Sequence, residues 1–140
     1  MKRALVIIIL FCSVSVFGLE EKKKCATFPD WVLPAWAMAQ RESRRSLPGY
    51  YNEIDHLKMP KVIWTCGPFE VNKQLYAGIT VCPPGKDCFV VVGVVGDQSE
   101  DFATLVHEFQ HSIAFQLPLT ESQLKQNEQW VDLNWRWGSK

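Results

Sequence analysis

The chain has 140 residues, which is enough for one domain but not comfortably for two. Hydrophobic residues make up 47% and charged residues 21%, so the composition is that of a globular protein and not of a disordered chain. The 15 basic and 15 acidic side chains balance, and no basic stripe follows residue 45. Nucleic acid is therefore not expected as a partner.

The first 18 residues have the features of a secretory signal peptide. Lys2 and Arg3 form a positively charged start, residues 4–17 are apolar, and Val16 and Gly18 suit a cleavage site. The apolar run is shorter than the roughly 20 residues that span a bilayer, so no stable membrane span is expected after cleavage. We expect a secreted or periplasmic protein whose single mature domain covers residues 19–140.

Export makes disulfides the expected state of the cysteines. The mature chain keeps Cys25, Cys66, Cys82 and Cys88. Cys82 and Cys88 bracket the turn-forming residues 83–87, which favours a bridge between them and leaves Cys25 with Cys66. Four cysteines allow three pairings, and a four-cysteine zinc site is the competing interpretation, although CxxC spacing is absent.

The first elements in chain order are a helix and three strands. Asp30 is predicted to cap a helix that ends at residues 47–49, where the sequence is Leu-Pro-Gly. Residues 61–66, 74–82 and 88–95 are rich in β-branched and aromatic side chains, and each predicts a strand. The third strand is apolar on both faces, so we expect it to be covered on both sides.

Two more helices follow the strands. Asp97 with Glu100 forms a capping box for a helix that runs to about residue 115, and Thr120 with Gln123 caps the last helix. The predicted fold class is α+β. A small antiparallel three-stranded sheet packs on the first of these helices, with a helix at each end of the domain.

The string HEFQH in the longer of these helices carries the most chemical information. His107 and His111 are one helical turn apart on the same face, so both imidazoles can bind one zinc ion. Glu108 lies beside them, where its carboxylate can take a proton from a water that the metal makes more acidic. The alternative is a pair of helix-surface histidines with no metal.

The last predicted helix offers further carboxylates. Catalytic zinc commonly has three protein ligands, and Glu128 is the best candidate for the third. Asp132 follows one turn later and is placed to accept a hydrogen bond from the free ring nitrogen of a ligating histidine. Taken alone, these two residues fit the polar face of a terminal helix equally well.

The pairing of HEFQH with the string NEQWVD at residues 127–132 resembles the gluzincin clan of thermolysin-like zinc metallopeptidases. In size the chain is similar to the minigluzincins, and the sheet before HEFQH looks like the upper subdomain of a zincin. The resemblance implies zinc-dependent hydrolysis of a peptide or protein substrate. It assigns His107, His111 and Glu128 as Zn²⁺ ligands, Glu108 as general base, and Asp132 as a hydrogen-bond partner of His107.

The chain departs from the larger gluzincins in two respects, of which the compact spacing between His111 and Glu128 is one. Many of those enzymes polarise the substrate carbonyl with a Tyr or His well downstream of the ligand glutamate, and no Tyr or His follows Glu128 here. Any such group comes from upstream, with Tyr50, Tyr51, His56 and Tyr76 as candidates, or from a partner chain.

A second class of function stays open. The chain also fits a disulfide-stapled binding or inhibitor module whose zinc site is structural or vestigial. Turnover that depends on Glu108 would separate the peptidase from this alternative.

Overall fold

The structure, a computed structural model, describes residues 6–7 and 27–133, so Cys25 and most of the predicted signal peptide lie outside the described residues. The described residues form six short strands and three longer helices, and five of the strands follow one another along the chain. Its elements are β1 Val6–Ile7, α1 Pro29–Ser46, a 3-10 helix Pro48–Tyr50, α2 Tyr51–Ile54, β2 Lys61–Cys66, β3 Phe69–Val71, β4 Gln74–Tyr76, β5 Gly78–Val81, β6 Phe89–Val94, α3 Gln98–Gln116 and α4 Glu121–Leu133.

Four strands form one mixed sheet in the order β1-β5-β6-β2. Central β6 pairs in parallel with β2 and antiparallel with β5, and β1 pairs in parallel with the outer edge of β5. The α+β class is confirmed, but the prediction of a purely antiparallel sheet is wrong. The physical reason lies in β6, whose residues 89–93 are all buried. An apolar strand of this kind belongs at the centre, which separates β2 from β5.

The predicted second strand, residues 74–82, divides into two strands. Its first part, β4, pairs antiparallel with β3 as a separate hairpin, and only its second part, β5, joins the main sheet. Asn72 and Lys73 connect β3 to β4 with positive φ angles of 50° and 64°. Two residues of this conformation form the tight turn that a two-residue hairpin requires.

Both faces of the main sheet are covered, as the sequence predicts for β6. Val90 and Val92 belong to a core cluster with residues of α1 and α3. Phe89 and Val91 face the other way and pack with residues of the β3–β4 hairpin. A helical layer therefore covers one face, while the hairpin covers the other.

The N-terminal caps of the helices match the sequence predictions with one exception. Asp97 accepts the backbone N–H of Glu100 at 3.1 Å. Thr120 and Gln123 form the reciprocal capping box, with distances of 2.9 and 3.2 Å. The predicted cap at Asp30 is wrong, because α1 begins at Pro29 and places Asp30 in its first turn. Proline suits the first helical position, where no N–H is needed.

The disulfide between Cys82 and Cys88 is present and closes the loop between β5 and β6. Cys66, at the end of β2, is also disulfide-bonded, and Cys25, its predicted partner, lies outside the described residues. Within residues 6–7 and 27–133, no helix is both long enough and apolar enough to cross a membrane.

Candidate metal centre

The site lies on α3, and its position relative to the sheet is fixed at the start of that helix. Asp101, which is buried, accepts the backbone N–H groups of Val95 at 2.9 Å and Gly96 at 3.1 Å. These bonds tie the end of β6 to the first turn of α3. Sequence reasoning did not single out Asp101, because an acidic residue in a first helical turn is usually solvated.

Close contact between α3 and β5 depends on Gly78. A Cβ atom at this position would lie 2.8 Å from the Thr104 methyl and 2.9 Å from Cγ of Glu108. Real side chains do not tolerate such distances, so only glycine lets the strand approach the helix this closely.

Three side chains converge on one point between α3 and α4. The Nε2 atoms of His107 and His111 are 3.2 Å apart. Oδ1 of Asp132 lies 3.5 Å from the first Nε2 and 3.8 Å from the second. Both histidines are buried, while the Asp132 side chain is 58% exposed, so solvent contacts the group at Asp132. Among the described residues, these three form a group that can hold a metal ion.

The donor atoms fit the size and chemistry of zinc. A zinc ion about 2.0–2.1 Å from tetrahedral ligands places neighbouring donor atoms about 3.3–3.4 Å apart. The observed separations of 3.2, 3.5 and 3.8 Å bracket these values. Two imidazoles and one carboxylate also match the nitrogen and oxygen ligands that catalytic zinc uses, and they leave a fourth position open.

Glu108 is completely buried between α3 and β5. Its Oε1 lies 2.8 Å from Oγ1 of Thr80, and the same hydroxyl lies 2.8 Å from the main-chain oxygen of Glu108. Burial raises the pKa of Glu108 well above 4.5, the Thr80 hydrogen bond opposes this, and the charge of Asp132 adds to it. Oε2 has no hydrogen-bond partner within the part of the chain that the structure describes.

Asp132 has the opposite electrostatic environment. Partial burial alone would raise the pKa of Asp132, but hydrogen bonds from His107 and His111 and their charges outweigh it and lower the pKa well below its usual range. The carboxylate is therefore ionised at neutral pH, as a metal ligand must be.

The structure brings together four of the predicted site residues, His107, His111, Glu108 and Asp132, but it uses Asp132 differently. Asp132 faces the two Nε2 atoms at the point of convergence, whereas the sequence suggested that it accepts a hydrogen bond from the ring nitrogen that does not bind the metal. Glu128 is half-buried on α4 and is not a member of the group. Glu128 and Asp132 are one helical turn apart on α4, and Asp132 is the one that lies next to the histidines.

Three of the four upstream candidates for stabilising a substrate carbonyl contact other residues in the structure. Tyr76 is buried in the cluster under the β3–β4 hairpin, and its hydroxyl donates to Gln74. Tyr50 donates to the main-chain oxygen of Pro118 at 3.4 Å. Tyr51 and His56 are exposed, and the Tyr51 ring stacks under Arg44.

In comparisons with known proteins, no protein-family model, curated protein or solved structure matches this chain. The site itself and the two short motifs that resemble the gluzincins are therefore the features that indicate a function.

Proposed function

We propose that this protein is a small exported zinc metallopeptidase with a zincin-like domain. The observation that carries the proposal is the convergence of two Nε2 atoms and one carboxylate oxygen, with distances of 3.2–3.8 Å, beside a buried glutamate. His107, His111 and Asp132 would hold the ion. Such a ligand set with an open fourth position is typical of catalytic zinc rather than of a closed structural site.

A zinc ion bound there would polarise the carbonyl group of the scissile peptide bond and make a water molecule more acidic. Glu108 would act as the general base through Oε2, which has no hydrogen-bond partner among the described residues, and would pass the proton to the leaving amine. Burial keeps the pKa of this carboxyl well above its ordinary value. A base whose pKa lies nearer to the working pH holds and releases a proton more readily.

The outer edge of β5 is the proposed binding place for the substrate backbone. In the structure, Val6 and Ile7 pair in parallel with Thr80 and Val81, so this edge accepts an extended chain. Removal of the predicted signal peptide frees the edge for a peptide that adds as a strand. Thr80 contacts Glu108, which places this edge next to the proposed base.

The geometry and the family resemblance differ on the third ligand. The resemblance suggests Glu128, whereas the distances favour Asp132. The test is the zinc content of purified protein, by elemental analysis, for the wild type, Asp132→Ala and Glu128→Ala. We expect about one zinc per wild-type chain, a loss with Asp132→Ala and no loss with Glu128→Ala. Loss of zinc with Glu128→Ala but not with Asp132→Ala would support the ligand set of the gluzincins instead.

Hydrolysis is tested with a peptide library, and the Glu108→Gln variant serves as the inactive control. The glutamine keeps the shape of the side chain but removes the proton acceptor, so turnover should fall by at least about 10²-fold with zinc content unchanged. Bound zinc without turnover would favour the binding or inhibitor module. A wild-type protein that takes up no zinc would overturn the proposal.

A further inference from the structure

We propose that Thr80 is a positioning residue for Glu108. Its hydroxyl holds Oε1 against β5 and leaves Oε2 as the oxygen that exchanges the proton with water and the leaving amine. This inference rests on the proposed function. It assigns a role to a strand residue outside both sequence motifs, and it predicts that the sheet determines which oxygen of the base is active.

The contact is short and fully enclosed. Thr80 has no exposed surface, and its Oγ1 lies 2.8 Å from Oε1 of Glu108 and 2.8 Å from the main-chain oxygen of the same residue. Since one hydroxyl lies 2.8 Å from both the main-chain oxygen and Oε1 of Glu108, it restricts where the carboxyl group lies relative to the axis of α3. A side chain held at both ends keeps one orientation, which is what a preorganised base requires.

The neighbouring residue on the same face of β5 completes the enclosure. A Cβ atom on Gly78 would lie 2.9 Å from Cγ and 3.0 Å from Oε2 of Glu108. The Glu108 side chain therefore passes directly beneath the strand in space that the glycine leaves open. Thr80 contacts one oxygen, and the other oxygen, which is also buried, occupies space that a side chain at Gly78 would fill.

An ordinary core threonine would not require this arrangement. Packing alone would be satisfied by valine, which has the same shape, and a bond to the main-chain oxygen would be satisfied whatever residue stood at position 108. Thr65 is such a residue, since it is buried in β2 and, among the described residues, its hydroxyl donates to the main-chain oxygens of Gly67 and Val92, at 3.3 and 3.4 Å. It serves as the matched control.

The first test needs no activity. Thr80→Val, Glu108→Met and the double variant are unfolded in urea with a metal chelator present. Methionine fills a similar volume without accepting the hydroxyl proton. The loss in denaturation midpoint caused by Thr80→Val should be about half as large in the Glu108→Met background. An equal loss in both backgrounds would show that the hydroxyl does not hold the carboxyl, and the inference would fail.

The second test uses the zinc-loaded protein and the best peptide of the library. We expect Thr80→Val to lower kcat by about 10-fold to 100-fold, with KM and zinc content unchanged. Thr80→Ser keeps the hydroxyl and should restore most of kcat, and Thr65→Val should leave kcat as in the wild type. A loss that serine does not restore, or an equal loss with Thr65→Val, would reject the role.

The two tests separate this inference from the proposed function. If the wild type hydrolyses no peptide, the proposed function fails and so does the catalytic part of the inference. The urea experiment still decides whether Thr80 holds Glu108. If the wild type is active and the urea experiment shows no coupling, only the inference is overturned.

Discussion

The nitrogen atoms of His107 and His111 meet at 3.2 Å, and this distance has an electrostatic consequence. Two lone pairs that face each other so closely repel unless a proton or a metal ion lies between them. Asp132 adds a negative charge at the same point. The three side chains therefore favour a cation, and a metal ion is the cation that satisfies all three donor atoms at once.

Glu108 carries a stability cost of its own when no metal is present. When the pKa of a carboxyl group is higher in the folded state than in the unfolded state, the unfolded chain loses the proton first as pH rises. The free energy of unfolding therefore falls as pH rises above the pKa of the unfolded state. The pKa of Glu108 is raised well above 4.5, first by burial. In excess chelator we expect Glu108→Gln to be more stable than the wild type at pH 7.5. The difference between their free energies of unfolding should shrink toward pH 4.5, and it should change by up to about 1.4 kcal/mol per pH unit.

The measurement is urea unfolding of both proteins across this pH range. Both proteins keep His107, His111 and Asp132, so residue 108 is the one position at which they differ. A difference that stays constant with pH would mean that Glu108 is not the group whose proton binding changes on folding.

At the scale of elements, the distance between β5 and α3 determines whether the site can form. Gly78 lies where a Cβ atom would be 2.8 Å from the Thr104 methyl. An added side chain at Gly78 would displace the Thr104 and Glu108 side chains or push β5 away from α3, and either change would disturb the contact between Thr80 and Glu108. The glycine therefore supports the site as well as the core.

We expect Gly78→Ala to lower the free energy of unfolding by about 1–3 kcal/mol, the usual cost of overpacking a core. Gly49→Ala is the matched control, since nothing lies within 4 Å of a Cβ at Gly49 and its backbone conformation is an ordinary one. It should change stability by less than about 0.5 kcal/mol. Urea unfolding of the two variants measures both values. Similar losses of stability at the two positions would mean that the close approach of β5 to α3 does not depend on Gly78.

At the scale of the whole molecule, α4 is the least firmly packed of the three long helices. Its buried residues are Asn127 and Val131, whereas α3 is buried over most of its length. Asn127 accepts the hydroxyl of Ser46 at 3.0 Å, which ties α4 to the end of α1. Asp132 lies near the C-terminal end of α4, so a metal ion would connect that end to α3.

Removing the metal should therefore loosen one helix more than the rest. We expect a chelator to lower Tm, because bound metal stabilises the folded state. We also expect faster amide hydrogen exchange in residues 121–133 than in β6. Hydrogen exchange followed by mass spectrometry, with and without zinc, makes the comparison. Asp132→Ala should show the faster exchange even when zinc is present. If amide exchange became faster by the same factor across the whole chain, the metal would not be a local connection between α3 and α4.

Local patterns predicted the elements well. The bounds of β2 match the prediction, the caps at Asp97 and Thr120 are confirmed, and the Cys82–Cys88 disulfide closes the predicted turn. These features depend on residues a few positions apart, where backbone geometry allows few alternatives. The hairpin around Asn72 was missed, because its short strands carry little periodic signal.

The sequence by itself determined the α+β composition, the helix that brings His107 and His111 to one face, and the presence of a glutamate between them. Only the tertiary structure decided that β6 is central, that Asp132 rather than Glu128 reaches the histidines, and that Thr80 contacts Glu108. The reason is physical. Periodicity fixes which side chains share a face, but the partner of that face is chosen by the packing of distant segments, which no local pattern records.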